Sequence, residues 1–310
     1  MSGTALDSVA AYLPPASIPI GSLPLGISDD QFLMYRRLCG LSTVRRAEDG
    51  TIADLMLAAA AGLTTLAGRE CHVRYVVHAL TLTSCAPYPV NPLHEVTRRL
   101  GLAHAQAFSL TQHGCASGLL AIELCGRLLA ADPDPAALAL VFSGERVFTR
   151  RLEHIPGTAI MGEGAAAVLV TSHGTRDRLL GHASRTYGRY SAGPDLGADL
   201  EQEFRELCLT ALAEVILAAV QRAGCGLDDI ALVLPHNVNR LVWTRLAKRL
   251  QLDPARVMLA NVAATGHCFG ADPFINYRTA VEQRLLRRGD RYVMATLGLG
   301  AAFCAQVFEH

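Results

Sequence analysis

Net charge is the first thing missing from this chain: its 28 basic residues are matched by 28 acidic ones. No global field therefore argues for nucleic acid or a membrane surface as partner. Lysine is nearly absent, with Lys248 the only one, so arginine carries the positive charge. That imbalance reads as coding bias more than physics. Paired cysteine motifs are missing too. Cys39, Cys71, Cys85, Cys115, Cys125, Cys208, Cys225, Cys268 and Cys304 are scattered, with no C-x-x-C pair and no H-x-x-x-H. The spacing argues against a structural metal and points to free thiols in a reducing compartment. No stretch approaches 18 uninterrupted apolar residues, and no basic segment followed by an apolar one opens the chain. The expectation is a soluble cytoplasmic protein with no metal. A G-x-S-x-G elbow and a phosphate-binding P-loop are also absent. Gly162-Glu163-Gly164 imitates half of a dinucleotide fingerprint, but a strand-like run, Ala165–Val170, follows it where a helix is required.

What is present is apolar bulk. With 310 residues, 51% hydrophobic and 18% charged, the chain can bury roughly three quarters of its unfolded surface as one large domain or two packed halves. Short strand signals alternate with helical ones. Strands are predicted at Ser8–Leu13, Tyr75–Leu82, Ala105–Leu110, Ala137–Phe142, Ala165–Thr171, Ile230–Leu234, Tyr292–Leu297 and Ala302–Phe308. Helices are predicted at Asp29–Leu38, Ile52–Leu66 behind a Thr51 cap, and after Asn91 with Pro92 at the first position. Further helices are predicted from Leu119 to Ala130, Leu200 to Ala223, Val238 to Leu250 and about Pro273 to Leu286. This alternation implies an α/β fold with largely parallel sheets covered by helices. The loop Thr186–Ala198, carrying Gly188, Gly193, Pro194 and Gly197, is the best boundary between halves, giving 1–185 and 186–310.

Within that frame the most informative residue is Cys115, in Gln112-His113-Gly114-Cys115-Ala116-Ser117-Gly118. A strand, a small-residue turn, a thiol and a buried helix follow one another. Unpaired N–H groups and the positive end of a helix dipole favour the thiolate, the nucleophilic form. Most cysteines are merely small buried hydrophobes, so the companions matter. Leu234-Pro235-His236-Asn237-Val238-Asn239 places a histidine at the end of a buried strand, where α/β proteins keep their sites. Thr265-Gly266-His267-Cys268-Phe269-Gly270-Ala271 places another in a glycine-framed loop. Leu297-Gly298-Leu299-Gly300-Ala301-Ala302 ends a strand in small residues whose amides suit an oxyanion. A cysteine, two histidines and an amide loop are the parts of acyl transfer through a thioester. His72, His78, His94, His104, His154, His173, His182 and His310 are read as satisfied core or surface residues.

In order and context these motifs resemble the β-ketoacyl-acyl-carrier-protein synthase III family of the thiolase superfamily. The resemblance includes Ala10-Ala11-Tyr12-Leu13-Pro14, Gly40-Leu41 with Arg45-Arg46, Cys115-Ala116-Ser117-Gly118, Gly144-Glu145, Met161-Gly162-Glu163-Gly164-Ala165-Ala166-Ala167, Pro235–Asn239 and the closing glycine loop. It implies the thiolase fold, two similar halves packed as a five-layer αβαβα sandwich, and a homodimer. It also implies that Cys115 is acylated, that His236 and His267 complete the site, and that the amides of Cys115 and Ala301 form an oxyanion hole. Gly300 and Asn239 would support them. Acyl-coenzyme A or the phosphopantetheine of an acyl carrier protein would be substrate, with no resident cofactor. Arg240, Arg245, Lys248 and Arg249 would dock that carrier or the coenzyme phosphates.

One departure affects the chemistry. Initiating synthases carry asparagine in a Gly-Asn-Thr-Ser loop where this chain has Gly266-His267-Cys268-Phe269. Two neutral imidazoles can both donate to an enolate oxygen, so decarboxylative condensation with a malonyl thioester is the first expectation. Histidine can also act as a base, which asparagine cannot. Acyl transfer to a hydroxyl or amine in specialised metabolism comes second, and a catalytically silent partner subunit third. Cys268 is read as packing more than as a second reactive thiol.

Overall fold

Residues 3–310 are described by a computed structural model, Pro194 without its side chain; Met1 and Ser2, in the expected N-terminal half, lie outside it. The chain begins with β1 (Ala5–Tyr12), then β2 (Ala16–Pro19), α1 (Asp29–Arg37), β3 (Thr43–Arg46), α2 (Ile52–Ala60) and β4 (Val73–Ala79). Next come α3 (Pro92–Arg99), β5 (Gln106–Leu110), α4 (Ser117–Ala131) and β6 (Leu138–Ser143). The two-residue strands β7 (His154–Ile155) and β8 (Ala159–Ile160) precede β9 (Ala165–Thr171) and β10 (Arg178–Thr186). The remainder is α5 (Ala198–Arg222), β11 (Ile230–Pro235), α6 (Arg240–Leu250), the short α7 (Val262–Thr265) and α8 (Asp272–Glu282). Strands β12 (Arg291–Gly298) and β13 (Ala302–Glu309) follow.

Local chemistry sets several boundaries where the sequence places them. Ser28 and Thr51 each accept from the amide three residues on, while Gln31 and Asp54 reach back, two complete capping boxes. Asn91 caps α3 with Pro92 behind it. Helix α2 stops earlier than the apolar pattern predicts. Leu63 and Leu66 are buried, but from a turn: a Cβ on Gly62 would sit 2.9 Å from that of Ala10, so the chain presses onto β1. Strand β10 was missed altogether because it is mostly half-buried or exposed and reads as polar.

Nine strands hydrogen-bond in the order β11-β12-β13-β10-β1-β9-β6-β4-β5. Against the largely parallel expectation, only the two pairings that flank β4 and that of β11 with β12 are parallel in this sheet among the described residues. The other five are antiparallel, because β13 returns from β12 by a tight hairpin and β9 and β1 run against their neighbours. At the seam, β1 meets β10 through the single register Ala5↔Arg178. The sheet therefore behaves as two sub-sheets joined at one corner. Ile52, Met56 and Val96 of α2 and α3 cover the outer face of the first against Phe142 and Leu169. Ile216 and Trp243 of α5 and α6 cover the second against Val293 and Phe303. Between them Ile122 and Leu129 of α4 and Phe274 and Ile275 of α8 meet both inner faces, through Val141, Val168, Leu234 and Met294. The result is the five-layer αβαβα arrangement. Gly114–Ala131 is long and apolar enough to cross a membrane, and here it forms part of the central layer, where both sheets cover it.

Candidate active site

Cys115 reaches the head of α4 through a contorted turn. Gln112 and Gly114 take positive φ, 75° and 52°, and Gly114–Ala116 form one 3-10 turn that runs into the helix. The opposing hairpin comes so close that only glycine fits. A Cβ on Gly298 would lie 2.0 Å from the His113 carbonyl oxygen, and one on Gly114 would lie 2.8 Å from the Leu299 nitrogen. Thr296 Oγ1 donates to the Cys115 carbonyl at 3.2 Å, and Gln306 donates to that of Leu119 at 2.9 Å. Strands β12 and β13 thus fix the turn that carries Cys115.

His267 is brought directly to Cys115: Nε2 lies 3.1 Å from Sγ. Its loop is clamped to β8, with His267 N donating to Ile160 O at 3.0 Å and Gly162 N to His267 O at 2.8 Å. Behind the ring stands Asp272, fully buried as the first residue of α8. Its Oδ2 accepts from His267 Nδ1 at 2.5 Å and from the Asn237 amide, also at 2.5 Å. Its Oδ1 accepts from the Cys268 amide at 2.8 Å. The helix dipole and these donors satisfy the buried carboxylate. Burial alone would push the His267 pKa down; the facing charges of Cys115 and Asp272, with their hydrogen bonds, outweigh it and raise the value to about 10. The raised value favours the imidazolium, with Nε2 facing the Cys115 sulfur.

His236 is placed beside His267, ring centroids 6.1 Å apart, and is held differently. Its backbone closes β11, N–H to Ala295 O at 3.1 Å, and its carbonyl accepts from Trp243 Nε1 at 2.9 Å. The ring packs edge-on to that indole at 5.1 Å, and Nδ1 has no protein partner among the described residues. Burial first, then the neighbouring His267 charge, drive its pKa down to about 3. Both causes favour the neutral ring.

The structure places the other sequence-designated residues as follows. Gly300 and Ala301 both take positive φ, 88° and 60°, and the Ala301 carbonyl accepts from Tyr187 N at 3.0 Å. Asn239 caps α6, accepting from Val242 N at 2.8 Å, and its amide donates to Thr158 O at 3.0 Å. Arg240, Arg245, Lys248 and Arg249 are exposed along α6. The amide of Arg240 donates to Cys39 O at 2.9 Å, which draws the end of α1, with exposed Arg36 and Arg37, alongside. Cys268 is buried, its thiol 3.8 Å from Thr265 O and its pKa well above the ordinary thiol value, burial being the main cause. Among the described residues no three His, Cys, Asp or Glu side chains are grouped to hold a metal ion.

The sequence reading did not weigh Asp272. The available signal was an acid at the start of a helix, directly before Pro273 and five residues after His267. Asn276 was missed too: its Nδ2 donates to Pro235 O and Asn237 Oδ1, both at 2.8 Å, and ties the strand bearing His236 to α8. So was Glu145, a buried carboxylate beyond β6.

The fold is that of thiolase-fold proteins. A family model for the C-terminal part of 3-oxoacyl-[acyl-carrier-protein] synthase III matches residues 220–310. The β-ketoacyl-[acyl-carrier-protein] synthase III of Rhodospirillum centenum is 26% identical, covering 94% of each chain. Synthase III 2 of Streptomyces coelicolor is 27% identical over 96% of this chain and 91% of its own. Among solved structures, synthase III of Pseudomonas aeruginosa superposes with a TM-score of 0.83 at 22% identity, covering 99% and 98% of the two chains. The acyltransferase ChlB3 gives the same TM-score, 0.83, at 22% identity over 99% and 97%. Residues 220–310 thus match the synthase III family model, and the chain as a whole is similar to β-ketoacyl-acyl-carrier-protein synthase III proteins over nearly its full length.

Proposed function

We propose that this protein transfers an acyl group from a coenzyme A or carrier-protein thioester, through acyl-Cys115, to a hydroxyl or amine acceptor. The observation that carries the reading is the Nδ1–H hydrogen bond from His267 to Asp272, which determines what its other nitrogen can do. In the resting enzyme Nε2–H faces the Cys115 sulfur. The thiolate attacks the donor thioester, and the leaving thiolate takes the Nε2 proton and departs as thiol. His267 is then neutral with its remaining proton on Nδ1, held by Asp272. Its Nε2 presents a lone pair beside the acyl group, so it can accept a proton and cannot donate one. An acceptor O–H or N–H gives that proton to Nε2 while its heteroatom attacks the acyl carbonyl. Collapse returns the Cys115 thiolate and the imidazolium together. Proton-accepting groups placed in this way contribute roughly a hundred- to ten-thousandfold.

The order of the two sequence-based expectations is thereby reversed. Decarboxylative condensation asks both imidazoles to donate to an enolate oxygen, and in the acyl-enzyme only His236 keeps that capacity. The curated relatives named synthase III favour condensation as the second reading. For either reaction the amides of Cys115 and Ala301 would receive the oxyanion, with Gly300 shaping the loop. The exposed Arg240, Arg245, Lys248 and Arg249, joined by Arg36 and Arg37, would dock an acidic carrier protein or coenzyme phosphates. A cytoplasmic homodimer remains the proposed setting.

Intact-protein mass spectrometry tests the reading. Acyl-thioester donors are expected to add one acyl mass to the wild type and none to Cys115→Ala. A chase with alcohols and amines should then remove it, while malonyl-carrier protein should not. Release of a product two carbons longer with carbon dioxide would overturn transfer in favour of condensation.

A further inference from the structure

A second buried carboxylate lies one residue from the nucleophile, and the chemistry above makes no use of it. Glu145 follows Gly144, whose φ of 112° and near contact with Gly164 O, 2.1 Å from a hypothetical Cβ, force a sharp bend at the end of β6. That bend aims the Glu145 side chain at the turn after β4. There Oε1 accepts from the amides of Thr81 and Leu82, the latter at 3.2 Å. Thr81 in turn places its hydroxyl 3.8 Å from Cys115 Sγ, within hydrogen-bonding reach of a sulfur. Glu145 Oε2 is buried and has no protein partner among the described residues. Leaving a polar atom unsatisfied in the interior is unfavourable, so the residue is a poor choice for packing alone.

We infer that Glu145 and Thr81 form a positioning pair for Cys115: the carboxylate fixes the 81–82 turn, and the turn holds the Thr81 hydroxyl as a donor to the sulfur. The thiolate is then met from two sides, by His267 on the Asp272 side and by Thr81 on the Glu145 side. The unequal strengths suit their duties. His267 must give up and recover a proton, whereas Thr81 only orients and steadies the charge. Burial pushes the Glu145 pKa up to about 7 against the pull of the Thr81 and Leu82 amides and of the Thr81 hydroxyl, which lies between the carboxyl group and the sulfur. Cys85, nearby, is unsuited as a rival nucleophile, since burial and the Glu145 charge raise its pKa to about 11.

The inference rests on Cys115 as the nucleophile and on nothing about the acceptor. Its test is the rate of Cys115 alkylation by iodoacetamide, read at the Cys115 peptide by mass spectrometry in the full-length protein. Thr81→Val should slow alkylation about fivefold, the effect of one hydrogen bond, and Thr81→Ser should restore it. Glu145→Ala should slow it to a similar extent, and Glu145→Gln, which retains an acceptor oxygen for the two amides, should stay within about twofold of wild type. The decisive variant is Thr81→Val with Glu145→Ala, expected to be no slower than the slower single one, because Glu145 acts only through Thr81. Additive slowing, or a Glu145 effect without a Thr81 effect, would overturn the proposal. If Glu145→Ala fails to fold, Glu145→Asp, whose shortened side chain falls short of the Thr81 and Leu82 amides, replaces it in the same comparison with Thr81→Val. No acyl donor enters this assay, so a protein that never loads an acyl group but shows the coupling would lose the proposed function and keep this inference.

Discussion

His236 and His267 are neighbours with equal burial and opposite surroundings. His236 stands at the end of β11 against an indole, with a ring nitrogen unpartnered and no carboxylate bonded to it. His267 sits between a thiol and a carboxylate, each within bonding distance of one of its nitrogens. Burial pushes both rings towards neutrality. It succeeds at His236, taken to about 3, and is overruled at His267, taken to about 10. Each charge state follows from the partners, and burial alone would have made the two alike. Under the proposed function the difference would also divide the labour, His267 moving protons at the sulfur and His236 offering a polar edge.

The predictions that follow test this division, beginning with the largest effect. Cys115→Ala removes the nucleophile and should cut turnover at least about a thousandfold; the same substitution should lower the His267 pKa from about 10 by deleting the facing sulfur charge. A proton NMR titration of the imidazole checks the second part, and an unshifted His267 would break the comparison.

Asp272→Asn comes next. The amide can no longer hold Nδ1–H as a charged acceptor, and transfer to alcohols or amines should fall about a hundredfold or more. Acyl loading should survive at a reduced rate. Single-turnover kinetics of loading and release separate the two, and equal losses in both steps would argue that Asp272 only holds the fold.

The pH dependence of stability should show opposite windows for the two rings. His236 has a folded pKa below its unfolded value, so the stability it permits is present above about 6.5 and is lost as pH falls toward 3. His267 has a raised folded pKa, so its contribution is complete below about 6.5 and is lost as pH rises through 10. Each group changes stability by at most about 1.4 kcal/mol per pH unit within its window. Urea denaturation across pH for His236→Asn and His267→Asn should flatten the acid limb in the first and the alkaline limb in the second.

The smallest effect is assigned to Trp243→Phe, which keeps an aromatic face against His236 but removes the bond to its carbonyl. A stability loss of about 1 kcal/mol is expected, with the His267 titration unchanged.

Much of this was legible in the chain, and the part that was not has a common cause. Strand and helix alternation, the caps at Ser28, Thr51 and Asn91, and the grouping of Cys115 with His267 follow local patterns or ordered motifs. Asp272 escaped because an acid before a proline at a helix start has an ordinary explanation as a helix-terminal charge. Only the fold turns it toward His267, five residues back. Tautomer and charge are likewise properties of three-dimensional partners, which is why two neutral donors were expected. Thr81 and Glu145 are 64 residues apart and meet only because β4 and β6 are adjacent in the sheet. Asn239, whose motif position suggests support for the site, caps α6 with its oxygen and donates through its amide to Thr158 O.

The most direct test of the account is the tautomer of His267 in the acyl-enzyme. Nitrogen-15 NMR of histidine-labelled protein, acylated at Cys115, distinguishes a protonated from an unprotonated ring nitrogen. A neutral ring with its proton on Nδ1 and a bare Nε2 is the predicted state, ready to receive a proton from an alcohol or amine. A proton on Nε2 in the acyl-enzyme would contradict it and return His267 to the role of an enolate donor.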